Sequence, residues 1–410
     1  MKRVGFVACS KTKLHHAAPA GALYSSALFR KSLLAALDST DEVYVLSALH
    51  GIVGLRDPVE PYDLTLKSME SAARARWVEK VSQQLVTILR PGDVATFYTG
   101  EEYSRPLLRT LSHLGGKSYE PLAGLSMGSR LASLRLLNAE TQTEAIEQAL
   151  RPHIRRLKRA QAGGRRFQEC RGTSGWPQRG IYIILESDEG AAPGRVVRVG
   201  THAVSAGSST TLWQRLISHK GTTQGVGSHR SSIFRSHVGR AILRRGPNQA
   251  VPISWGVGQT APAAVRETEI ALERDVSAYI AQLRVLWLDV SDAAGPNSDR
   301  AYLERNLIGT YSRLGLVRPR CRTGWLGEWS PDWRIAASGL WNLDHLFVRP
   351  DCRFVDVVAY YVSVTIEGRP APSAPLAPDG WRLRRTPSAT QMALFESGKI
   401  KSGKINGGRE

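Results

Sequence analysis

At 410 residues the chain is too long for one ordinary globular domain and suits two or three. Its 42% hydrophobic content can fill real cores, while 55 Lys+Arg against 36 Asp+Glu leave a formal charge of +19. That balance excludes an acidic, solvating chain and favours a polyanionic partner, nucleic acid first. No apolar run is long enough to cross a bilayer, and the one at Val4–Ala8 is too short for a signal peptide, so a cytoplasmic protein with no membrane partner is expected. Cys9, Cys170, Cys321 and Cys352 lie far apart without a C-x-x-C pair, which argues against a disulfide framework or a cysteine zinc site.

From Val4 to about Leu137 short β-branched runs alternate with helical patterns, the signature of an α/β fold with a mainly parallel sheet and flanking helices. Strands are predicted at Val4–Ala8, Glu42–Leu46 and Asp93–Tyr98, with helices near Ser26–Leu37, Ser68–Leu89 and Glu102–Leu114. In parallel sheets the loops leaving the carboxyl ends of the strands build the site. Here these loops carry Ser10, Lys11, Thr12 and Lys13, then His50, and then Glu101 and Tyr103; Asp63 follows at Pro61-Tyr62-Asp63. Ser10, Lys11 and Lys13 offer hydroxyl and ammonium groups to an anion, His50, Asp63 and Glu101 offer acid/base or hydrogen-bonding groups, and Tyr62 and Tyr103 offer faces on which a base can stack. The plain alternative is that Lys13 and His50 cap loops and Asp63 fixes a turn.

Between Arg151 and Arg171 the chain carries Arg155, Arg156, Lys158 and Arg159 among further basic residues, and it passes through Gly163-Gly164 and Gly172. This reads as a basic helix followed by a flexible linker, a solvated face or a phosphate contact. The expected division is a first domain over 1–145, the basic helix and linker over 146–175, a second domain over 176–365, and a basic, disordered tail over 366–410.

The second domain opens on Gly180-Ile181-Tyr182-Ile183-Ile184, a predicted strand paired with Arg195–Gly200. A helix near Thr210–His219 places Arg215 and His219 on one face. Then come Ser228-His229-Arg230, a strand at Val285–Val290, and a helix carrying Tyr302-Leu303-Glu304-Arg305. In order and residue type this stretch resembles the GIY-YIG endonuclease family, over about Gly180 to Leu314. The resemblance implies a small α+β nuclease domain that cuts DNA with Mg²⁺ or Mn²⁺. It implies that Tyr182 belongs to the first motif, that Arg215 faces the scissile phosphate, that His219 and His229 are accessory, and that Glu304 is the single metal-binding acid. The chemistry suits phosphodiester hydrolysis, which needs an oxygen ligand, a cation for the developing charge and a base for water.

The second motif departs from the family pattern, since Arg198-Val199-Gly200 stands where Tyr-Ile-Gly is usual. The base must then be Tyr182, His202 or His219, and Arg198 either adds phosphate affinity or marks an inactive site. Glu269 and Glu273 are rival metal ligands. Arg230 and Arg235 begin a run with Arg240, Arg244 and Arg245 that suits a DNA track.

The first domain resembles an uncharacterised bacterial family recognised by Cys9-Ser10-Lys11-Thr12-Lys13, Tyr24–Phe29, Ser47–Gly51, Pro61-Tyr62-Asp63 and Tyr98-Thr99-Gly100. Its fold is distantly similar to glycosylase-like, nucleobase-processing domains, which implies that it excises or reads a base. The joint expectation is an endonuclease for DNA, unmodified or base-modified, that serves in defence against foreign DNA. The alternative is a nucleotide or base-processing enzyme with an inactive C-terminal nucleic-acid-binding module.

Overall fold

The computed structural model describes residues 1–186, 194–222, 224, 227–246, 254–318 and 324–382. They form two compact units, Met1–Thr141 and Gln142–Leu383. Among the described residues no helix is long and apolar enough to cross a membrane.

The first unit is α/β. Strands β1 (Arg3–Ala8), β2 (Glu42–Ser47), β3 (Gly51–Gly54), β4 (Val94–Tyr98) and β5 (Lys117–Tyr119) lie in the order β3-β2-β1-β4-β5. β1 runs parallel to both β2 and β4, as the alternating pattern predicts. The sequence reading missed β3, which turns back from β2 through residues 48–50 and pairs antiparallel at the edge. Helix α1 (Ala27–Ser39) is capped by the Ser26 hydroxyl, which accepts from the Phe29 N–H, and it packs on β1, β2 and β4. Helix α2 (Ser71–Ile88) packs near β3, burying Trp77, Val81 and Leu85, while helix α3 (Met127–Leu137) packs on α1.

The second unit centres on an antiparallel sheet in the order β8-β7-β9-β6, where β6 is Arg165–Arg166, β7 is Gly180–Glu186, β8 is Arg195–Gly200 and β9 is Arg284–Asp289. The central strand β7 reads as a continuous apolar run because both of its faces are covered. Ile181, Ile183 and Leu185 of β7 meet one core, with Leu286, Leu288, Leu303, Leu307 and Tyr361, whereas Tyr182 and Ile184 meet another, with Leu212, Leu216, Phe234, Val276 and Trp341. The first core holds helix α4 (Glu140–Ala160), helix α8 (Asp299–Val317) and helix α9 (Phe354–Glu367). The second holds helix α5 (Leu212–Lys220), helix α6 (Ile233–Arg245) and helix α7 (Ala263–Gln282). The outer edge of β8 is sealed by Trp341 N–H on Val197 O (2.7 Å) and by the Asn342 side chain, which pairs with both backbone groups of Val199 at 3.1 and 2.7 Å.

Two boundary expectations differ from this arrangement. Residues 146–175 are no free linker: α4 buries Ile146, Leu150, Ile154 and Leu157, and β6 pairs with β9. The many arginines mask an apolar stripe at helical spacing, and that stripe is what docks. The expected tail over 366–410 likewise begins inside the unit, since Ala377 and Trp381 are buried and the Leu376 and Ala377 N–H groups donate to Asp299. Residues 383–410 lie outside the described residues.

Three buried histidines, His202, His219 and His237, sit well below the ordinary imidazole range because burial disfavours the cation; His202 and His237 are each lowered to about 4. Nearby guanidiniums act in the same direction. A group depressed in the folded state stays neutral while the unfolded chain takes up its proton, so stability is lost as pH falls from about 6.5 towards about 4. Urea midpoints across that window should fall with pH. His237→Gln should flatten the dependence by roughly 1.4 kcal/mol per pH unit, one proton's worth. An unchanged slope would mean that His237 is charged in the folded protein.

Candidate active site

The site forms where β7, β8, α5 and α8 meet. Tyr182 is fully buried on β7, and its hydroxyl lies 2.9 Å from Nε2 of His219 on α5. His219 Nδ1 lies 2.7 Å from the Ser232 hydroxyl, which also accepts from the Arg235 N–H. In the tautomer this network favours, Nδ1 carries the hydrogen and Nε2 accepts from the phenol. Room for the phenol comes from Gly200, where a Cβ would collide with the Tyr182 ring and hydroxyl. The glycine of the second motif is therefore a packing requirement.

Glu304 stands on α8 between the buried Leu303 and Asn306. One carboxylate oxygen accepts from the Thr201 N–H at 3.1 Å, just beyond β8. Arg300 fixes that loop by donating to His202 O (3.0 Å) and Ala203 O (3.3 Å) and by pairing with Asp292. Burial pushes the Glu304 carboxyl up to about 7, although the Arg198 charge, the Thr201 hydrogen bond and the Arg215 charge each pull it down. An acid so costly to ionise, with cations near but not in contact, is electrostatically short of positive charge. That donor chemistry fits a hard divalent cation, which can be held by one carboxylate with waters and substrate phosphate completing its shell. Among the described residues no group of three His, Cys, Asp or Glu side chains is placed to bind a metal, so Glu304 is a lone-carboxylate candidate.

Arg215 is half-buried on α5 and donates no side-chain hydrogen bond among the described residues, which leaves its guanidinium open to a phosphate. Arg198 differs from the expected DNA contact. It is buried, donates to Trp341 O at 2.5 Å and lies over the Phe234 ring at 5.2 Å, and its charge bears on Glu304 and His219. An arginine held in this way acts as a fixed local charge.

His229 and Arg230 are not brought to this site, and Arg235 supports it only from behind, through Ser232 and the His219 carbonyl. His229 stacks on Trp255 at 3.9 Å and gives both its backbone N–H and Nδ1 to Glu273. Arg235 is fully buried, paired with Glu273 and bonded to His219 O and Ser277, while Arg230 pairs with Glu269 at 2.5 Å. Burial raises the Glu273 carboxyl, but His229 and Arg235 more than offset this and leave it below its ordinary value. Glu269 is also held low, chiefly by hydrogen bonding from Arg230. Both rival ligands are thus consumed by internal ion pairs. The sequence shows a basic run, but only packing reveals that α7 supplies an acid for each of its first two arginines. Of the helical cations, Arg155 and Arg159 are exposed, whereas Arg156 pairs with Glu367 and Lys158 donates to Gly194 O.

In the first unit Lys13, His50, Tyr62 and Asp63 come together. Lys13 Nζ lies 4.2 Å from the centre of the Tyr62 ring, and His50 meets the same ring edge-on at 5.6 Å. Burial lowers the Lys13 ammonium despite the nearby Cys9 and Asp63. The Tyr62 hydroxyl joins Ser47 (2.8 Å) and Tyr24 (3.0 Å), which open two of the sequence motifs but were not among the expected pocket residues. Glu101 lies apart, accepting from the Gly124 N–H at 3.0 Å, and Lys11 is exposed. Tyr103 is buried edge-on against Trp77 with its hydroxyl 3.3 Å from Cys9 Sγ, so it offers no face to a base. Ser10 Oγ donates to Thr12 O.

A half-buried carboxylate on α8, an open guanidinium on α5 and a tyrosine–histidine pair that joins β7 to α5 are the group types that phosphodiester hydrolysis needs. A family model described as the GIY-YIG domain matches residues 142–367, and the chain belongs to that family. A second model, described as a family of unknown function (DUF6884), matches residues 4–136. Neither the curated proteins nor the solved structures gave a match.

Proposed function

We propose that the chain is a metal-dependent DNA endonuclease whose second unit cuts the backbone and whose first unit recognises or excises a base, unmodified or modified, in defence against foreign DNA. The observation that carries the cutting activity is the Glu304 carboxyl, raised to about 7 by burial and open to one more cation beside Arg198 and Arg215. Glu304 would hold Mg²⁺ or Mn²⁺, which when bound supplies Lewis-acid polarisation of the phosphate and a more acidic water. Arg215 would face the non-bridging oxygens and stabilise charge that develops there. Tyr182 would take the proton of the attacking water as its own passes to His219 Nε2, and the Ser232 contact keeps the imidazole in the accepting tautomer. For the first unit, the support is the convergence of Lys13, His50, Tyr62 and Asp63 at strand ends.

The direct test incubates the protein with unmodified and base-modified DNA, with and without Mg²⁺, and reads strand breaks and free base separately. Metal-dependent breaks support the nuclease, and released base or a preference between the DNAs supports the first-unit role. Neither breaks nor release on any substrate sinks the proposal. Tyr182→Phe keeps the packing against Gly200 and should slow cleavage about a hundredfold or more. A variant cutting at the full rate moves the base elsewhere.

A further inference from the structure

The strand order of the first unit creates a crevice where three of the sequence motifs, Cys9-Ser10, Tyr24–Phe29 and Tyr98-Thr99-Gly100, meet. From β1 the chain crosses to β2 on one side, and from β4 it crosses to β5 on the other, so β1 and β4 flank a topological switch point. Ligands of open α/β sheets bind outside the carboxyl ends of the strands at such a point. A cleft lies there, lined by the ends of β1 (Ala8 to Ser10) and β4 (Tyr98 to Gly100) together with Ser26, Leu28, Ser32, Leu122 and Arg130.

Three features of the cleft point to one ligand chemistry. The first turn of the 13-residue helix α1 borders it, and because the Ser26 hydroxyl is spent on the Phe29 N–H, the Ala27 and Leu28 N–H groups have no intrahelical acceptor. Ser32, one turn further along, is 1% exposed, and its hydroxyl has no hydrogen-bond partner among the described residues. A buried hydroxyl left unpaired costs free energy that a bound acceptor would recover. Arg130 reaches in from α3 with its Nε tied to Leu125 O at 2.9 Å, which aims the guanidinium while both Nη atoms donate to nothing among the described residues. Amides, a hydroxyl and a guanidinium converging from different elements suit a tetrahedral oxyanion with several acceptor oxygens. The half-buried Leu28 gives the cleft an apolar edge on which a sugar or base can rest.

We propose that this cleft is a phosphate-binding pocket that takes the phosphate of a nucleotide on the α1 N-terminus, Ser32 and Arg130, with the nucleoside against Leu28 at its edge. The assignment rests on the reading of the first unit as a nucleic-acid-handling module, and it names the group that module grips. The phosphate belongs either to a free mononucleotide or to a strand of DNA.

The test titrates the full-length protein at physiological ionic strength with inorganic phosphate, with a nucleoside monophosphate, and with a short single-stranded oligonucleotide as competitor. Arg130→Gln and Ser32→Ala are compared with Arg159→Gln, which removes the same charge from an exposed position of the second unit; circular dichroism confirms the fold of each. Saturable one-site binding of the monophosphate is expected, weakened at least tenfold by Arg130→Gln, severalfold by Ser32→Ala and less than twofold by Arg159→Gln. Displacement by the oligonucleotide assigns the pocket to DNA, and binding without displacement assigns it to a free nucleotide. No saturable binding, or equal weakening by Arg130→Gln and Arg159→Gln, overturns the pocket. Strand cleavage and base release, measured on the same variants, report on the nuclease and base-handling readings separately.

Discussion

Glu304→Gln and Arg215→Ala should each abolish metal-dependent strand cleavage without unfolding the protein. The amide that replaces the Glu304 carboxyl keeps an oxygen for the Thr201 N–H, and it removes the cost of ionising a group that burial has raised to about 7. The variant should therefore melt at the wild-type temperature or above it at pH 8, while losing the stabilisation that Mg²⁺ or Mn²⁺ confers on the wild type. Arg215 makes no side-chain hydrogen bond among the described residues, so its loss removes charge from the transition state and little from the fold. The expected loss is on the order of 3 kcal/mol, more than a hundredfold in rate. Cleavage by Glu304→Gln at the wild-type rate would place the metal elsewhere. Glu269 and Glu273 would be poor replacements, because each is already neutralised by an internal arginine.

Glu273→Ala should be the most damaging substitution for stability, costing about 3–5 kcal/mol. It would strand the fully buried Arg235 without a counter-charge and remove the acceptor of both His229 nitrogens. Because Arg235 also holds His219 O at 3.1 Å, the Tyr182–His219 contact should loosen with it, and cleavage should fall along with the denaturation midpoint. Replacing both members of the pair by apolar residues of similar volume should restore much of the midpoint, since the penalty comes from an uncompensated charge. A wild-type midpoint for Glu273→Ala would mean that Arg235 faces solvent and belongs to a DNA track after all.

These two acids show how far residue type falls short of role. Both Glu273 and Glu304 sit on helices beside arginines, yet one is held below its ordinary range and the other is driven above it. The difference is contact: Arg235 bonds Glu273 directly, whereas Arg198 and Arg215 act on Glu304 only through space. No spacing in the chain encodes this, because the partners come from separate elements. The same holds in the first unit, where the reading grouped Glu101 with Asp63 but the fold ties Glu101 to Gly124 and assembles the Lys13 cluster around Tyr24 and Ser47.

By itself the sequence determined what local physics can write. It set the parallel strands β1, β2 and β4, the β7–β8 hairpin, the helices that carry Arg215 and Glu304, and the resemblance to the GIY-YIG family, because these follow from short apolar runs, helical periodicity and motif order. Tertiary structure alone decided which charges are spent and which remain. It turned an apparent linker into a core helix through a buried stripe, closed Arg230 and the α6 residue Arg235 onto α7 acids, and opened the switch-point cleft where α1, Arg130 and two strand ends converge. The reason is that burial and pairing energies depend on neighbours brought from far along the chain, and desolvation sets the state of a charged group only once those neighbours are in place.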